Sequence, residues 1–425
     1  MNKYGNWRNA TKFQSGNEVI VRKGLGEKIA QIDLFTVFEN AVYLIFVLCM
    51  FLFQDNHESS SYMLFYGLGA IIIALNVMNL RELELYESKA AMLAVFCFLA
   101  FATLTLFTGP SIQLPAYKMF LFGVAMFFAF SIKLANIEAR NAFVKIVAIA
   151  ASILAVYFLL NMTSDLSIVG RTKVAGLNVI NVSVVMAIGS LSAIYVSSFT
   201  GRKAWLLLLP LFYAVVLLSG SKLGLASSIF MPLVYFFFAD SNLFRRLGVI
   251  ALAFVVVSVV YYLVTNVPEL YNVIGYRVEG LAGLLFGDDT SSEDAARGTM
   301  ISLALQIFSQ NPIIGAGFDC FRVVNGWTNT WSHCNYAEIA ANFGLIGFIL
   351  YYSRYVCLIA GFSKVKGTRS KETYYSISLI LGFLLLESGI VVYYTALYQI
   401  LLAFAFASVG SKLPSAVTLR RGERG

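Results

Sequence analysis

The sequence predicts an all-α polytopic membrane protein of about 12 transmembrane helices, with one long extracytoplasmic loop between helices 9 and 10. Three observations predict it. The 425 residues are 59% hydrophobic and only 13% charged, with a mean hydropathy of +0.76, more apolar side chain than a soluble core needs. Apolar runs of about 20 residues, enough to cross a hydrocarbon layer ~30 Å thick, recur along almost the whole chain. From about Thr265 to Asn335 no such run occurs.

Taken in order, residues 1–34 are polar and basic and are expected in the cytoplasm. No cleavable leader is expected, because the first apolar run is long enough to stay in the bilayer. Nine spans follow within 35–266, near 35–53, 62–80, 90–107, 117–134, 142–160, 179–198, 204–218, 223–239 and 247–264. The polar stretch 267–336 is the predicted loop and carries the candidate catalytic residues. Three more spans fall within 337–411, near 337–361, 374–386 and 390–409. Residues 374–409 are long for one helix and short for two, so Glu387-Ser388-Gly389 is taken as the break. A basic tail, 412–425, is expected in the cytoplasm.

Lys and Arg accumulate in cytoplasmic loops. With the N-terminus inside, 24 of the 31 Lys and Arg fall on inner segments. Seven fall outside: Lys118, Arg171, Lys173, Lys222, Arg277, Arg297 and Arg322. The split predicts a plasma (inner) membrane protein with both termini cytoplasmic and the long loop facing the periplasm or exterior. It also excludes nucleic acid as a partner, since the net charge of +8 is spread over many short loops instead of one patch.

Topology gives no reason for the outer cations. Arg171 and Lys173 precede the sixth span, and Arg277 and Arg297 lie in the long loop. Lys222 closes Ser219-Gly220-Ser221-Lys222, a turn tight enough to be the outer end of a helical hairpin. There it adds full charge to a helix N-terminus that already favours anions. The planar arginine fork suits phosphate, and a lipid-linked pyrophosphate at the membrane face is the natural anion. Pairing with Asp288, Asp289, Glu293 or Asp294 is the plainer reading of the loop cations. Arg322 reads as structural.

The chain has two histidines. His57 lies in the short outer loop Gln54-Asp55-Asn56-His57-Glu58, without further features. His333 lies in Trp331-Ser332-His333-Cys334-Asn335-Tyr336-Ala337-Glu338, where the polar loop meets an apolar run. Ser332 is expected to cap the following helix, which places the imidazole at its first turn. A positive helix end favours the neutral ring near pH 7, suited to take a proton from a sugar hydroxyl. Tyr336 and Glu338, within two turns, are candidates to orient it or to bind sugar. Two histidines and the cysteine spacing match no metal pattern, so neither metal nor cofactor is expected. Cys49, Cys97 and Cys357 read as packing residues in spans. Cys320 and Cys334 fall on the outer side, where a bridge between them can persist. The loop aromatics Tyr271, Tyr276, Phe286, Phe318, Phe321, Trp327 and Trp331 suit sugar stacking and capping of the bundle equally.

The order Arg297, then Gln306-Ile307-Phe308-Ser309-Gln310-Asn311-Pro312-Ile313-Ile314-Gly315-Ala316-Gly317, then Ser332-His333 through Gly344-Leu345-Ile346-Gly347, resembles the O-antigen polymerase and ligase superfamily. That family shows an Arg, an apolar helix, a Pro-x-x-Gly-x-Gly turn and a His followed at this spacing by Gly-x-x-Gly. Ser219-Gly220-Ser221-Lys222 is similar to its Ser-Gly-Ser-Arg turn, and Arg171 with Asn178 or Asn181 to its Arg…Gly…Asn segment. The resemblance covers about 171–361.

It implies a metal-independent membrane glycosyltransferase acting on undecaprenyl-diphosphate-linked glycans. An acceptor hydroxyl attacks the anomeric carbon of a donor chain, and undecaprenyl diphosphate leaves. By position, His333 and Arg297 are catalytic, Arg171, Lys222 and Arg277 bind pyrophosphate, and Lys173, Tyr336 and Glu338 support them. Lys222 stands where Arg is usual, which keeps the charge and loses the fork. Cys334 stands where the ligases have Asn, which favours a polymerase making O-antigen or capsular polysaccharide over a ligase acting on lipid A core. Expected partners are the lipid-linked glycan, the bilayer, and a chain-length regulator and flippase of the same pathway. The competing class is a lipid-linked oligosaccharide transporter, which calls for ionisable residues within spans and a two-half repeat. The sequence shows few such residues, Lys133 and Glu387 lying near span ends, and no obvious repeat.

Overall fold

The computed structural model describes residues 34–53, 60–78, 89–163, 174, 177–240, 242–276, 278–279, 292–326, 330–364 and 370–410. The chain divides into two units. Met1–Ala41 contributes the opening of the first helix, from Leu34, and Val42–Gly425 holds the remaining helices and the candidate site.

Helix α1 (Leu34–Phe53) is followed by α2 (Ser60–Met78), α3 (Lys89–Thr105), α4 (Leu114–Lys133), α5 (Ile137–Asn161) and α6 (Val179–Thr200). A 3-10 segment (Lys203–Leu207) leads into α7 (Leu208–Leu218), then come α8 (Lys222–Ala239) and α9 (Leu243–Asn266). The predicted loop contains α10 (Ser292–Gln310), so it is not loop throughout. Helices α11 (Asn335–Lys364), α12 (Lys371–Leu386) and α13 (Ala396–Gly410) complete the described chain. Its only extended pairing is an isolated bridge between Val174 and Leu177.

A helix stands at each place where a span is predicted. Seven of them (α1, α4, α5, α6, α8, α9 and α11) are long and apolar enough to cross a membrane. Helices α2, α3, α13 and the 203–218 segment are shorter apolar helices. Many starts are set by side-chain caps of the preferred kind. Asn136, Asn178, Ser221, Asn242 and Ser370 each accept a backbone N–H of the following turn, at 2.7–3.2 Å. Helix α6 is buried over 83% of its apolar window and α9 over 6%. Both are apolar, so α6 reads as core and α9 as a lipid-facing helix.

Contacts sort the helix termini into two groups. In the first, Arg140 at the start of α5 forms a buried ion pair with Glu372 at the start of α12. Arg140 also donates to the carbonyls of Leu134 and Ala135 at 2.7 and 2.8 Å, closing the C-terminal end of α4. Lys371 reaches the Ser198 carbonyl near the end of α6. In the second group, the starts of α6 and α8 meet so closely that a Cβ on Gly224 would overlap Ser183. Leu223 packs on Gly389 just past α12, and the Asn335 N–H that opens α11 bonds the Glu387 carbonyl at 2.8 Å. This second end carries His333.

Candidate active site

Helix α11 is two helices. Gly344, at φ 62° and ψ −164°, breaks it. A broken helix in an apolar setting leaves backbone groups without partners, which is tolerated only where other protein groups satisfy them. Here the Pro312–Gly317 turn does so. On one side the Ala316 and Gly317 N–H groups donate to the carbonyls of Ala341 and Asn342, at 2.8 and 2.9 Å. On the other the Leu345 and Ile346 N–H groups donate to Pro312 and Ile313, at 2.8 and 3.1 Å. Gly315 (φ 76°) and Gly344 take left-handed conformations open to glycine, and a Cβ on either would overlap the other segment's backbone. Pro-x-x-Gly-x-Gly and Gly-x-x-Gly are thus the two halves of one joint. The same turn rests on the end of α3, where the Phe318 N–H donates to the Thr105 carbonyl at 3.1 Å.

The joint fixes the direction of α10. Its C-terminal end meets the break, while Met300 and Ala304 share a buried cluster with Ala337, Ala341 and Phe321. Helix α10 and the first part of α11 therefore run toward the break together. Arg297, less than a turn before Met300, lies at the end where Cys334 joins the same cluster. It is half-buried, with no ion pair among the described residues.

His333 occupies a left-handed conformation, φ 58°, unusual for a residue with a side chain. Such a conformation persists only where its surroundings hold it. The Ser332 N–H donates to Glu338 Oε2 at 2.8 Å, and the Ser332 hydroxyl donates to the Cys334 carbonyl at 2.9 Å. Ser332 is therefore not the cap that the sequence predicts. The left-handed residue turns the chain, helix α11 starts at Asn335, and Ser332 stabilises the turn one step upstream. Glu338 is fully buried and holds that turn by its backbone. Tyr336 donates to the Leu384 carbonyl at 2.7 Å and stacks on Tyr352.

Asn335 ties this turn to the end of α12. Its side-chain amide donates to Glu387 Oε2 at 3.0 Å, and its carbonyl oxygen accepts the Val392 and Tyr393 N–H groups at 3.0 and 3.3 Å. The other Glu387 oxygen accepts Tyr351 at 3.1 Å and Tyr355 at 2.5 Å. Arg354, one of the cations counted on the inner side, lies within the predicted span 337–361 and is buried in α11. Its guanidinium lies 3.9 Å from the centre of the Tyr351 ring and donates to Gln399 at 3.2 Å. The tyrosine rings, the amide and the Glu387 carboxylate, reached through Tyr355, offset its burial.

Lys222 is the first residue of α8, behind the Ser221 cap, and is half-buried. Leu223 on Gly389, Glu387 on Asn335 and the adjoining His333 put the Lys222 turn and the His333 turn at the same end of the bundle. Arg171, Lys173 and Arg277 lie outside the described residues, as do His57, Phe286 and Trp327. Phe318 and Phe321 are core residues. Cys320 and Cys334 are free thiols, with no bridge between them. Cys320 packs against Gly109, and burial pushes its thiol up to about 11, which removes it as a nucleophile at neutral pH. Arg322 makes a two-pronged contact with buried Asp319 and lies 4.9 Å from the centre of the Trp331 ring. Burial works against its charge, but Asp319 more than compensates and holds its pKa above the ordinary arginine range.

Residues 205–352 match the family model described as O-antigen ligase. The matched stretch runs from the start of the Lys222 hairpin past the joint at Gly344, and it includes Arg277, Arg297 and His333. It supports a place in the O-antigen ligase and polymerase superfamily, whose members are membrane glycosyltransferase-like enzymes. No curated protein matches the chain.

Sequence reading missed Asn335 and the depth of Glu387. Asn335 carries no local signal. Glu387 carried one, as a lone carboxylate between apolar spans.

Proposed function

We propose that the protein polymerises undecaprenyl-diphosphate-linked oligosaccharide repeat units at the outer face of the plasma membrane. The observation that carries the reading is His333, set on a backbone-anchored turn at the same end of the bundle as the Lys222 helix start and Arg297. The imidazole takes the proton of an acceptor hydroxyl as its oxygen attacks the anomeric carbon of the donor. The bond from that carbon to the diphosphate oxygen breaks, and undecaprenyl diphosphate leaves. Lys222 and Arg297, with Arg171, Arg277 and Lys173 outside the described residues, hold the diphosphate and balance the charge it gains. The chemistry uses no metal.

The second reading is a ligase that transfers the finished glycan to lipid A core, which the description of the matching family favours. Cys334, directly after His333, turns into the apolar cluster with α10, and this departure from the ligase pattern is the ground for preferring polymerase. A transporter fits less well. Transporters use the free ends of broken helices to bind substrate, whereas the break at Gly344 is filled by backbone.

Purified protein is given a synthetic undecaprenyl-diphosphate repeat unit, excess chelator and no nucleotide, and products are resolved on a gel. A ladder that falls about 10²–10⁴-fold in His333→Ala, and also in Arg297→Ala, is expected. One discrete product appearing only with lipid A core means ligase. Movement of the lipid-linked sugar across liposomes without any product means transporter.

A further inference from the structure

A pocket of about 830 Å³ opens beside the His333 turn, lined among others by Tyr66, Gln113, Lys118, Arg322, Trp331 and Tyr394. Its size falls within the range of small-ligand sites, about 300–1,000 Å³.

The wall is built in advance. Arg322 is pinned by Asp319, which also accepts the Tyr393 hydroxyl at 3.3 Å. The guanidinium lies against Trp331, and Trp331 stacks on Tyr394 with ring centres 6.5 Å apart and planes 27° apart. Rings in a cavity whose lining also includes Gln113, Lys118 and Arg322 suit a sugar, which presents an apolar C–H face and a polar edge. The charge count is also specific. Arg322 is already balanced by Asp319, whereas Lys118 is exposed and makes no ion pair among the described residues. Among the described residues the pocket therefore has one cation to offer a ligand.

Its position relates it to the reacting centre. Trp331 is two residues before His333, so their Cα atoms are at most about 7 Å apart. Tyr394 follows Tyr393, whose N–H is held by Asn335 at the start of α11. We propose that this pocket is a subsite for the acceptor glycan and selects a sugar bearing an anionic group, which Lys118 pairs with. The inference rests on the reading of the protein as a glycan transferase.

The test measures binding without turnover, by tryptophan fluorescence of the purified full-length protein in detergent. The probes are disaccharides ending in glucuronic, galacturonic or N-acetylneuraminic acid, their neutral counterparts, and inorganic pyrophosphate. At least one acidic disaccharide is expected to bind about tenfold more tightly than its neutral counterpart. Lys118→Ala should erase that preference while leaving neutral binding in place, and Trp331→Ala should weaken both. Equal binding of acidic and neutral sugars, a preference that survives in Lys118→Ala, or no saturable sugar binding overturns the proposal. Competition by pyrophosphate shows that the pocket takes the leaving group and overturns the acceptor assignment. Because no reaction is needed, selective binding with neither a ladder nor a discrete product on lipid A core would sink the transferase reading and leave the pocket's selectivity standing.

Discussion

At one end of the Val42–Gly425 bundle, Arg140 is buried against Glu372, closes the end of α4, and leaves nothing for a ligand. At the other, Lys118 is exposed, Arg297 is half-buried without an ion pair among the described residues, and Lys222 sits at a helix N-terminus. The starts of α6, α8 and α11 gather there too, and their N–H groups add partial positive charge. The first end holds a deeply buried cation balanced within the protein, and the second carries Lys118, Arg297 and Lys222 near helix starts. A cation matched by a buried carboxylate, as Arg140 is by Glu372 and Arg322 by Asp319, is part of the structure; Lys118 and Arg297, without an ion pair among the described residues, lie where the proposed anion would bind.

The largest expected effect tests the matched end. Arg140→Ala strands a buried carboxylate and should cost about 3–5 kcal/mol of stability, read by denaturant unfolding in detergent. Transfer per folded molecule should stay unchanged, and Arg140→Met with Glu372→Leu should recover most of the loss. A single variant as stable as wild type would dissolve the contrast between the ends. Gly344→Ala comes next. The left-handed conformation alone costs about 1–2 kcal/mol, the overlap with Ile313 adds to it, and limited proteolysis should cut newly within 312–317. Asn335→Ala should cost about 1–3 kcal/mol, because it leaves buried backbone N–H groups without their acceptor, and should lower the transfer rate more than substrate affinity. The smallest effect sharpens the other side: Lys222→Ala should weaken binding of a lipid-linked diphosphate about tenfold, whereas Lys222→Arg should change it little.

The helix places were legible because twenty-residue apolar runs are a local signal, and so was the break at Glu387-Ser388-Gly389. The start of α13 was not. It falls at Ala396 instead of near 390 because Asn335, far upstream, takes the N–H groups of Val392 and Tyr393 out of helical pairing. The two glycine motifs were visible as motifs, but their mutual fit depends on segments about thirty residues apart meeting in space. Arg354 was counted only as an inner cation, because charge alone does not reveal that Tyr351, Tyr355 and Gln399 surround it. The cap expected of Ser332 failed through one left-handed residue, which spacing does not disclose. His333, Arg297 and Lys222 were singled out from residue type and position, and the fold places them at one end of the bundle. The pocket beside them was not, because its lining comes from separate stretches of chain.

The joint at Gly344 is made by backbone groups on both sides, four hydrogen bonds that ask for two glycines and almost nothing of other side chains. A fastening of that kind separates holding from recognising. On the proposed reading, residues facing the glycan can be exchanged to suit a different sugar without disturbing this joint, so one scaffold could be retuned to many polysaccharides by changing its lining alone.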